Sequence, residues 1–492
     1  MTPRIDELRS YLREPLPHPD RAAMADLGQK ALDYVVNHFA TLPEQKVGQA
    51  LSRKEMEALL YQPLPEEGVG FGEILRDFHT NVAPYAMRVN HPRFFAFIPS
   101  SPSFYSVIGD FICGGMNFFN AVWIEACGPA QVELVVLDWF RQILGYPSEA
   151  RGLLTSGGSE ANMTALVAAR QRLAFADRSR AVLYMSQQRH LSIDRAARII
   201  GLHPEQLRSI PVDADYRLIV REFVSAIKSD RAQGRVPWLV VANAGATNTG
   251  VVDPLEELAD VCLREGLWMH VDAAYGWAAA LHPSDKNELA GIDRADSITF
   301  DPHKWFSQTY EAGCVLVRDG KQLVDAFALQ PDYMQDVAPT EEEINFSDLS
   351  VALTRRFRAL KIWMSVRALG LGWFRNLIEH TCRLAEYAQL LLEQSDDFEV
   401  VSPRRLSIVC FRYHPRNIDE GEILDRLNSD LTEAVRLTGR AFLSSTRLQG
   451  RVVLRFCFVN WRTTARDVDE VLRLMSETAR ETLATRFPEM LT

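Results

Sequence analysis

The sequence is most informative first for what it does not contain. No run of about 18 apolar residues occurs, the length a membrane-crossing helix needs. The first residues, Met1-Thr-Pro-Arg-Ile-Asp-Glu-Leu-Arg9, hold no apolar signal core. The seven cysteines are scattered at 113, 127, 262, 314, 382, 410 and 457, with no CxxC pair. An odd, dispersed set in a large chain argues for free thiols in a reducing compartment. Basic charge is short as well: 54 Lys and Arg stand against 64 Asp and Glu, a net charge of −10. That balance disfavours nucleic acid as a partner. No internal repeat or low-complexity tract is present. These absences lead us to expect a cytoplasmic chain that associates with neither membrane nor nucleic acid.

What is present has an ordinary globular profile: 492 residues, 47% hydrophobic and 24% charged. One core does not serve so long a chain, so two or three domains are expected. Residues 24–42 place Leu27, Ala31, Val35, Val36 and Phe39 at helical spacing. Met56, Leu59 and Leu60 suggest a second helix, and Phe71 to Val82 a third. So few helices cannot bury their own apolar faces and must lie on something else.

From about Pro129 to Arg318, apolar strand-like runs alternate with amphipathic helical patterns. Expected strands are Gly152–Thr155, Ala181–Met185, Trp238–Ala242, Leu267–Val271, Ile298–Phe300 and Cys314–Val317. Continuous apolar strands separated by helices indicate an α/β fold with a mostly parallel sheet covered on both faces. Asp253-Pro254 is read as the start of a helix, with proline at its first position. Beyond Gly370, Phe398–Val401, Ser407–Tyr413 and Arg451–Phe458 read as strands, and 418–437 and 465–485 as helices. This is expected to be a small C-terminal α/β domain.

Ligands of such sheets bind beyond the carboxyl ends of the strands, and four of those ends carry polar groups. Ser156-Gly-Gly-Ser159 opens a helix, where free N–H groups attract an anion and the glycines permit close approach. An ordinary serine cap with Glu160 in the first turn reads equally well there. The sequence is not a Walker A loop, since the GK[ST] ending is missing. His190 follows a strand, a position that a structural histidine also fits. Asp272 ends an apolar strand and needs a cationic or donor partner, which a pyridinium nitrogen or an ordinary basic side chain supplies. Lys304 follows the strand Ile298–Phe300; an ammonium there is either exposed on a loop or held for use as a free amine. Lys304 for an imine, Asp272 for a ring nitrogen and Ser159 for a phosphate together fit one cofactor, pyridoxal 5'-phosphate. No metal site is expected.

The stretches HPRFFAF (91–97), TSGGSEAN (155–162), HVDAAYG (270–276) and DPHKW (301–305) resemble the pyridoxal-phosphate-dependent group II decarboxylases. The resemblance is strongest to the aromatic L-amino acid (tyrosine, tryptophan and DOPA) decarboxylases, and it runs to Leu454-Arg-Phe456. It implies a fold-type I enzyme, a homodimer with its active site at the subunit interface, and N-terminal helices that clasp the partner. The implied parts are an N-terminal dimerisation segment (1–87), a large cofactor-binding domain (88–370) and a small C-terminal domain (371–492). By the same resemblance Lys304 carries the cofactor, His190 stacks on its ring and Asp272 pairs with the ring nitrogen. Ala274 and Thr247 lie close to the ring, Gly158 and Ser159 bind the phosphate, and His303 stands beside the lysine. Gly370 is expected to reach the phosphate of the neighbouring active site. Phe97, Pro99 and Trp305 line the substrate pocket, with Phe119 and Ala121 entering from the partner.

The stretch 325–345, with Pro331, Pro339 and an acidic run, reads as a mobile loop. The resemblance makes it the catalytic loop, with Tyr333 as its tyrosine. Arg355 and Arg356 are candidates to anchor it. Asp301 departs from the asparagine that several relatives place near the phosphate, and Ala121 is small where some carry phenylalanine. The implied reaction is decarboxylation of an aromatic L-amino acid to an arylalkylamine and carbon dioxide. The alternatives are an aromatic aldehyde synthase, a decarboxylase of a non-aromatic amino acid, an aminotransferase and a non-catalytic cofactor-binding regulator.

Overall fold

The computed structural model describes residues 3–329, 339–340, 342–416, 418 and 421–487. The chain divides into two compact units, Met1–Met87 and Arg88–Thr492. In the first unit, helices Pro3–Tyr11, Arg21–Thr41, Arg53–Leu60 and Phe71–Asp77 bury none of their residues. Their ends are nonetheless well specified. Asp20 accepts the Ala23 N–H, and Ser52 and Glu55 form a reciprocal capping box. The first of these helices, short and charged, went unrecognised in the sequence.

The second unit is built on a seven-stranded sheet. Its strands are β1 (Arg151–Thr155), β2 (Ala181–Ser186), β3 (Leu207–Ile210), β4 (Val236–Asn243), β5 (Trp268–Asp272), β6 (Ser297–Phe300) and β7 (Gly313–Val317). Their order is β1-β7-β6-β5-β4-β2-β3. The pairs joining β3, β2, β4, β5 and β6 are parallel, and β7 runs antiparallel to both β6 and β1. Strands β2, β5, β6 and β7 are buried along their whole length, as strands covered by helices on both faces are. The carboxyl ends of β1, β2, β4, β5 and β6 therefore open on one side.

Strand β7 starts where backbone crowds backbone. Gly313 pairs with Thr155, and a Cβ at 313 would lie 2.5 Å from the Gly157 Cα. Glycine alone fits there.

Asp253 has a different task from the one its sequence suggests. The helix it precedes is Leu255–Glu265, and Asp253 gives that helix no cap. Its buried carboxyl instead accepts N–H groups from Leu218 (2.8 Å) and Asn243 (2.7 Å), tying the end of β4 to a distant loop. Arg355 is also inward-facing. Its guanidinium donates to Glu133 (2.7 Å), to the Asn120 carbonyl (3.0 Å) and to the Leu154 carbonyl (2.7 Å). Both members of this ion pair are buried, and removing one partner from such a pair costs about 3–5 kcal/mol.

A second hydrophobic core lies under a four-stranded antiparallel sheet of β8 (Phe398–Arg405), β9 (Ile408–Tyr413), β10 (Ser444–Leu448) and β11 (Arg451–Cys457). The strand order is β10-β11-β9-β8. Helices Gly421–Thr438 and Ala465–Arg486 bury Leu427, Leu431, Val471 and Met475 in that core. The helical run Ala359–Glu393 is broken at Gly370 (φ 72°, ψ 156°). Residues 325–327, expected to begin a loop, close the helix Lys321–Phe327. Tyr333 and Pro331 lie outside the described residues. Among the described residues, no helix is long and apolar enough to cross a membrane.

Candidate active site

Beyond the carboxyl ends of β4, β5 and β6 lies a cavity of about 220 Å³. Its lining includes six residues singled out from sequence: Phe97, His190, Thr247, Asp272, Ala274 and Lys304. They come from segments spread over some 200 positions, brought together because parallel strands deliver their ends to one edge.

Asp272 closes β5 and is buried. Its Oδ2 accepts from Asn162 Nδ2 at 2.9 Å and its Oδ1 from the Ala274 N–H at 3.1 Å. Two acceptor roles on one carboxyl group are the pattern of an anion. Lys304 follows β6 by a turn, its N–H closing on the Asp301 carbonyl at 3.0 Å. Its Nζ lies 3.1 Å from Asp301 Oδ2. Asp301 is buried, and its Oδ1 has no hydrogen-bond partner among the described residues.

His190 precedes the helix Leu191–Ile199, and its Nδ1 accepts the Ser192 N–H. Burial pushes its pKa below the usual histidine value, with the Asp272 charge opposing. His303 is pushed down in the same way, chiefly by burial, and its Nδ1 accepts the Ala312 N–H at 3.2 Å. Its Nε2 stands 3.7 Å from Asp301 Oδ2. Thr247 presents its carbonyl to Arg455 of β11, which also donates to Ser444 Oγ at 3.0 Å. Ser444 Oγ accepts in turn from the Phe97 N–H at 3.2 Å. Phe97 has a left-handed backbone (φ 56°), rare for a bulky residue, and its half-exposed ring faces Phe442 edge-on.

The helix Gly158–Arg170 starts beside this cluster, its cap position being Gly157 rather than Ser156. The Glu160 carboxyl is turned back onto the Ser156 N–H (2.7 Å) and hydroxyl (2.6 Å). The first-turn N–H groups have no acceptor within the helix. A Cβ at Gly158 would sit 3.0 Å from Asp301 Oδ2, so the missing side chain leaves room between this helix end and Asp301. A lysine amine, an anionic carboxylate across the cavity and an anion-seeking helix end form a donor set that fits pyridoxal phosphate.

Several expected pocket residues do not line this cavity. Trp305 is fully buried, stacked on Tyr275 at 4.8 Å and donating to Thr381 at 2.8 Å. The turn after β6 sends its ring into the core, where it supports Tyr275, and Tyr275 is the residue that reaches the cavity. Pro99 is buried next to Ile98, which does line it. Phe119, partly exposed, and Ala121, buried, belong to a turn held by Arg355 and by the Ser347 N–H on the Ala121 carbonyl. Gly370 is exposed at its helix break. Sequence reading passed over Asn162, Ser192, Thr299 and Arg455. Asn162 lies in the TSGGSEAN stretch, but nothing local shows that it reaches Asp272.

Residues 54–414 match the family model described as the pyridoxal-dependent decarboxylase conserved domain. The chain is 39% identical over 459 residues to an aromatic-L-amino-acid decarboxylase of Bacillus atrophaeus, covering 93% of this chain and 96% of that protein. It is 29% identical to a phenylacetaldehyde synthase of Arabidopsis thaliana, over 94% of this chain and 96% of that one. Among solved structures, the Oryza sativa TDC with PLP and tryptamine superposes with a TM-score of 0.90 at 30% identity, covering 95% of this chain and 99% of that chain.

Proposed function

This chain belongs to the pyridoxal-dependent decarboxylases, and from that premise we propose that it converts an aromatic L-amino acid to the arylalkylamine and carbon dioxide. The observation that carries the reading is the opening of Lys304 and Asp272 into one cavity at neighbouring strand ends. Bound pyridoxal phosphate supplies an electron sink for the pair left behind when the carboxylate departs.

Lys304 offers the amine that anchors the cofactor and yields it to the substrate. Asp272 holds the proton on the ring nitrogen, which keeps the sink electron-poor. His190 would cover the ring, with Ala274 and Thr247 lining the same cavity beside it. Gly158, Ser159, Asp301 and His303 serve the phosphate end, joined by Gly370 from the neighbouring subunit. Phe97, backed by Phe442, gives an aromatic substrate ring an edge to pack on. Pro99 shapes the same wall, and Phe119 and Ala121 enter from the partner. Tyr333 returns a proton to the α-carbon, with His190 as relay.

We further infer a cytoplasmic homodimer with three parts, 1–87, 88–370 and 371–492. The unburied helices of the first unit support an intertwined partner, as do exposed Phe111, Met116 and Ile124 in the second. The division at Met87 and the separate core under the C-terminal sheet support the parts. Seven free cysteines, six of them buried, support a reducing compartment.

The test is to incubate the cofactor-loaded protein with L-tryptophan, L-tyrosine, L-phenylalanine and L-DOPA separately and identify products by mass. Amine and carbon dioxide are expected. Aldehyde with peroxide and ammonia would move the chain to the aldehyde synthases. Borohydride reduction should fix the cofactor to the peptide containing Lys304, and Lys304→Ala should abolish both the adduct and turnover.

A further inference from the structure

Asn162 is a polar side chain buried among the functional groups that this reading leaves without a task. It is 1% exposed on the helix Gly158–Arg170. Its Nδ2 donates to Asp272 Oδ2 (2.9 Å) and to Ser192 Oγ (2.8 Å). Its Oδ1 faces His270 Nε2 (2.9 Å) and accepts from Thr299 Oγ1 (2.5 Å). All four positions of the amide are therefore used.

The direction of each bond follows from the outermost donor. Trp268 Nε1 can only donate, and it donates to Ser297 Oγ at 2.8 Å. The Ser297 proton is then free for His270 Nδ1, also at 2.8 Å. An imidazole that accepts at Nδ1 carries its proton on Nε2. Complete burial keeps that ring neutral, its pKa pushed down to about 4. His270 Nε2–H therefore meets the Asn162 oxygen, and the amide is fixed with its NH₂ towards Asp272 and Ser192. The reversed amide would set an oxygen against the Asp272 carboxylate. Ser192 Oγ, having accepted from Asn162, passes its own proton to His190 Nδ1 at 2.8 Å. The Ser192 N–H donates to the same Nδ1 at 3.2 Å, so backbone and hydroxyl together leave the His190 ring proton on Nε2.

We propose that Asn162 is a positioning residue for the decarboxylation: locked by His270, it holds Asp272 as a hydrogen-bonded anion and, through Ser192 Oγ, reinforces the tautomer of His190. This rests on the reading that the cofactor occupies the cavity these two residues line. Neither Asn162 nor His270 lines that cavity, so their influence passes through the two residues that do.

The test compares holoenzyme variants. Asn162→Asp is nearly isosteric but sets a second carboxyl against Asp272, and facing carboxyls compete for one proton. His270→Leu removes the N–H that orients Asn162. His270→Gln retains a donor at the Nε2 position. We expect kcat to fall about 10- to 100-fold in Asn162→Asp and His270→Leu, as losses of outer supporting partners do. KM should change little, the visible band of the lysine-bound cofactor should titrate at a shifted pH, and His270→Gln should restore most of both readouts. Asp272, Lys304, Asp301 and Arg195, the charges around His190, are unaltered in all three. A wild-type titration and kcat in Asn162→Asp would overturn the proposal. Equal loss in His270→Gln and His270→Leu, tracking only thermal stability, would overturn it too. Absence of any Lys304 adduct in the wild-type protein would instead sink the functional reading beneath it.

Discussion

The adjacent strands β5 and β6 each lead to a buried aspartate beside the cavity that Lys304 lines, and the two are held in opposite ways. Asp272 is gripped by neutral donors, an amide side chain and a backbone N–H, themselves backed by Thr299 and His270. Asp301 leans on a charge, the Lys304 ammonium, and leaves one oxygen without a partner among the described residues. The first arrangement is complete before any ligand arrives and costs no reorganisation when charge develops. The second depends on the amine that the proposed reaction would take for its own use. On the proposed reading, fixed dipoles would serve the electron sink and an exchangeable ion pair the attachment point.

The contrast can be broken most severely at β5. Asp272→Asn keeps the shape and removes the charge, so kcat should fall on the order of 10³-fold, as for loss of a preorganised electrostatic partner. The Lys304 adduct should still form on borohydride reduction. A loss under tenfold would show that the ring nitrogen does not depend on Asp272.

The next effect concerns stability. His270 is held neutral in the fold with a pKa near 4, against about 6.5 when unfolded. Between those values the unfolded chain binds the extra proton. Its contribution is therefore present above pH 6.5 and is lost as pH falls towards 4, about 3 kcal/mol in all. Denaturant unfolding at pH 7 and pH 4.5 should show this loss in the wild type and a smaller one in His270→Gln. Equal losses would place the acid sensitivity elsewhere.

At β6 the effect should be smaller and of opposite sign. Asp301→Asn removes an anion next to the expected phosphate position and supplies a donor. Cofactor affinity, read by fluorescence titration of the apoprotein, should rise by less than about tenfold, or 1.4 kcal/mol. Weaker binding would mean that the Asp301–Lys304 pair assists loading.

Much of the architecture was legible because apolar strands announce themselves. β2 and β7 are nearly continuous apolar runs, and β5 and β6 keep enough apolar residues to read as strands; Asp272 stands out because it ends β5, and Lys304 because it comes one turn after β6. Strand β3, Leu-Arg-Ser-Ile, sits at the sheet edge with a short, half-polar sequence and carries no such signal. Trp305 adjoins Lys304 in sequence, but after a strand ends, side-chain direction is set by the turn, and the turn faces the core. Asn162 was unreadable for another reason. Its partners are 30, 108, 110 and 137 positions away, and a helical asparagine looks the same in sequence whether it meets solvent or a buried carboxylate. Asp253 followed the same logic: its neighbours in sequence suggested a helix cap, and its partners in space are one strand-end amide, Asn243, and one loop amide, Leu218.

The bare α-carbon at position 313 carries one last implication. Since the reverse-running strand begins against the backbone of Gly157, a methyl group there would displace the Thr155–Gly158 bend, next to the helix end proposed to receive the phosphate. The shape of that bend is thus set by a residue outside the cavity lining, and the tolerance at that spot is a single hydrogen atom.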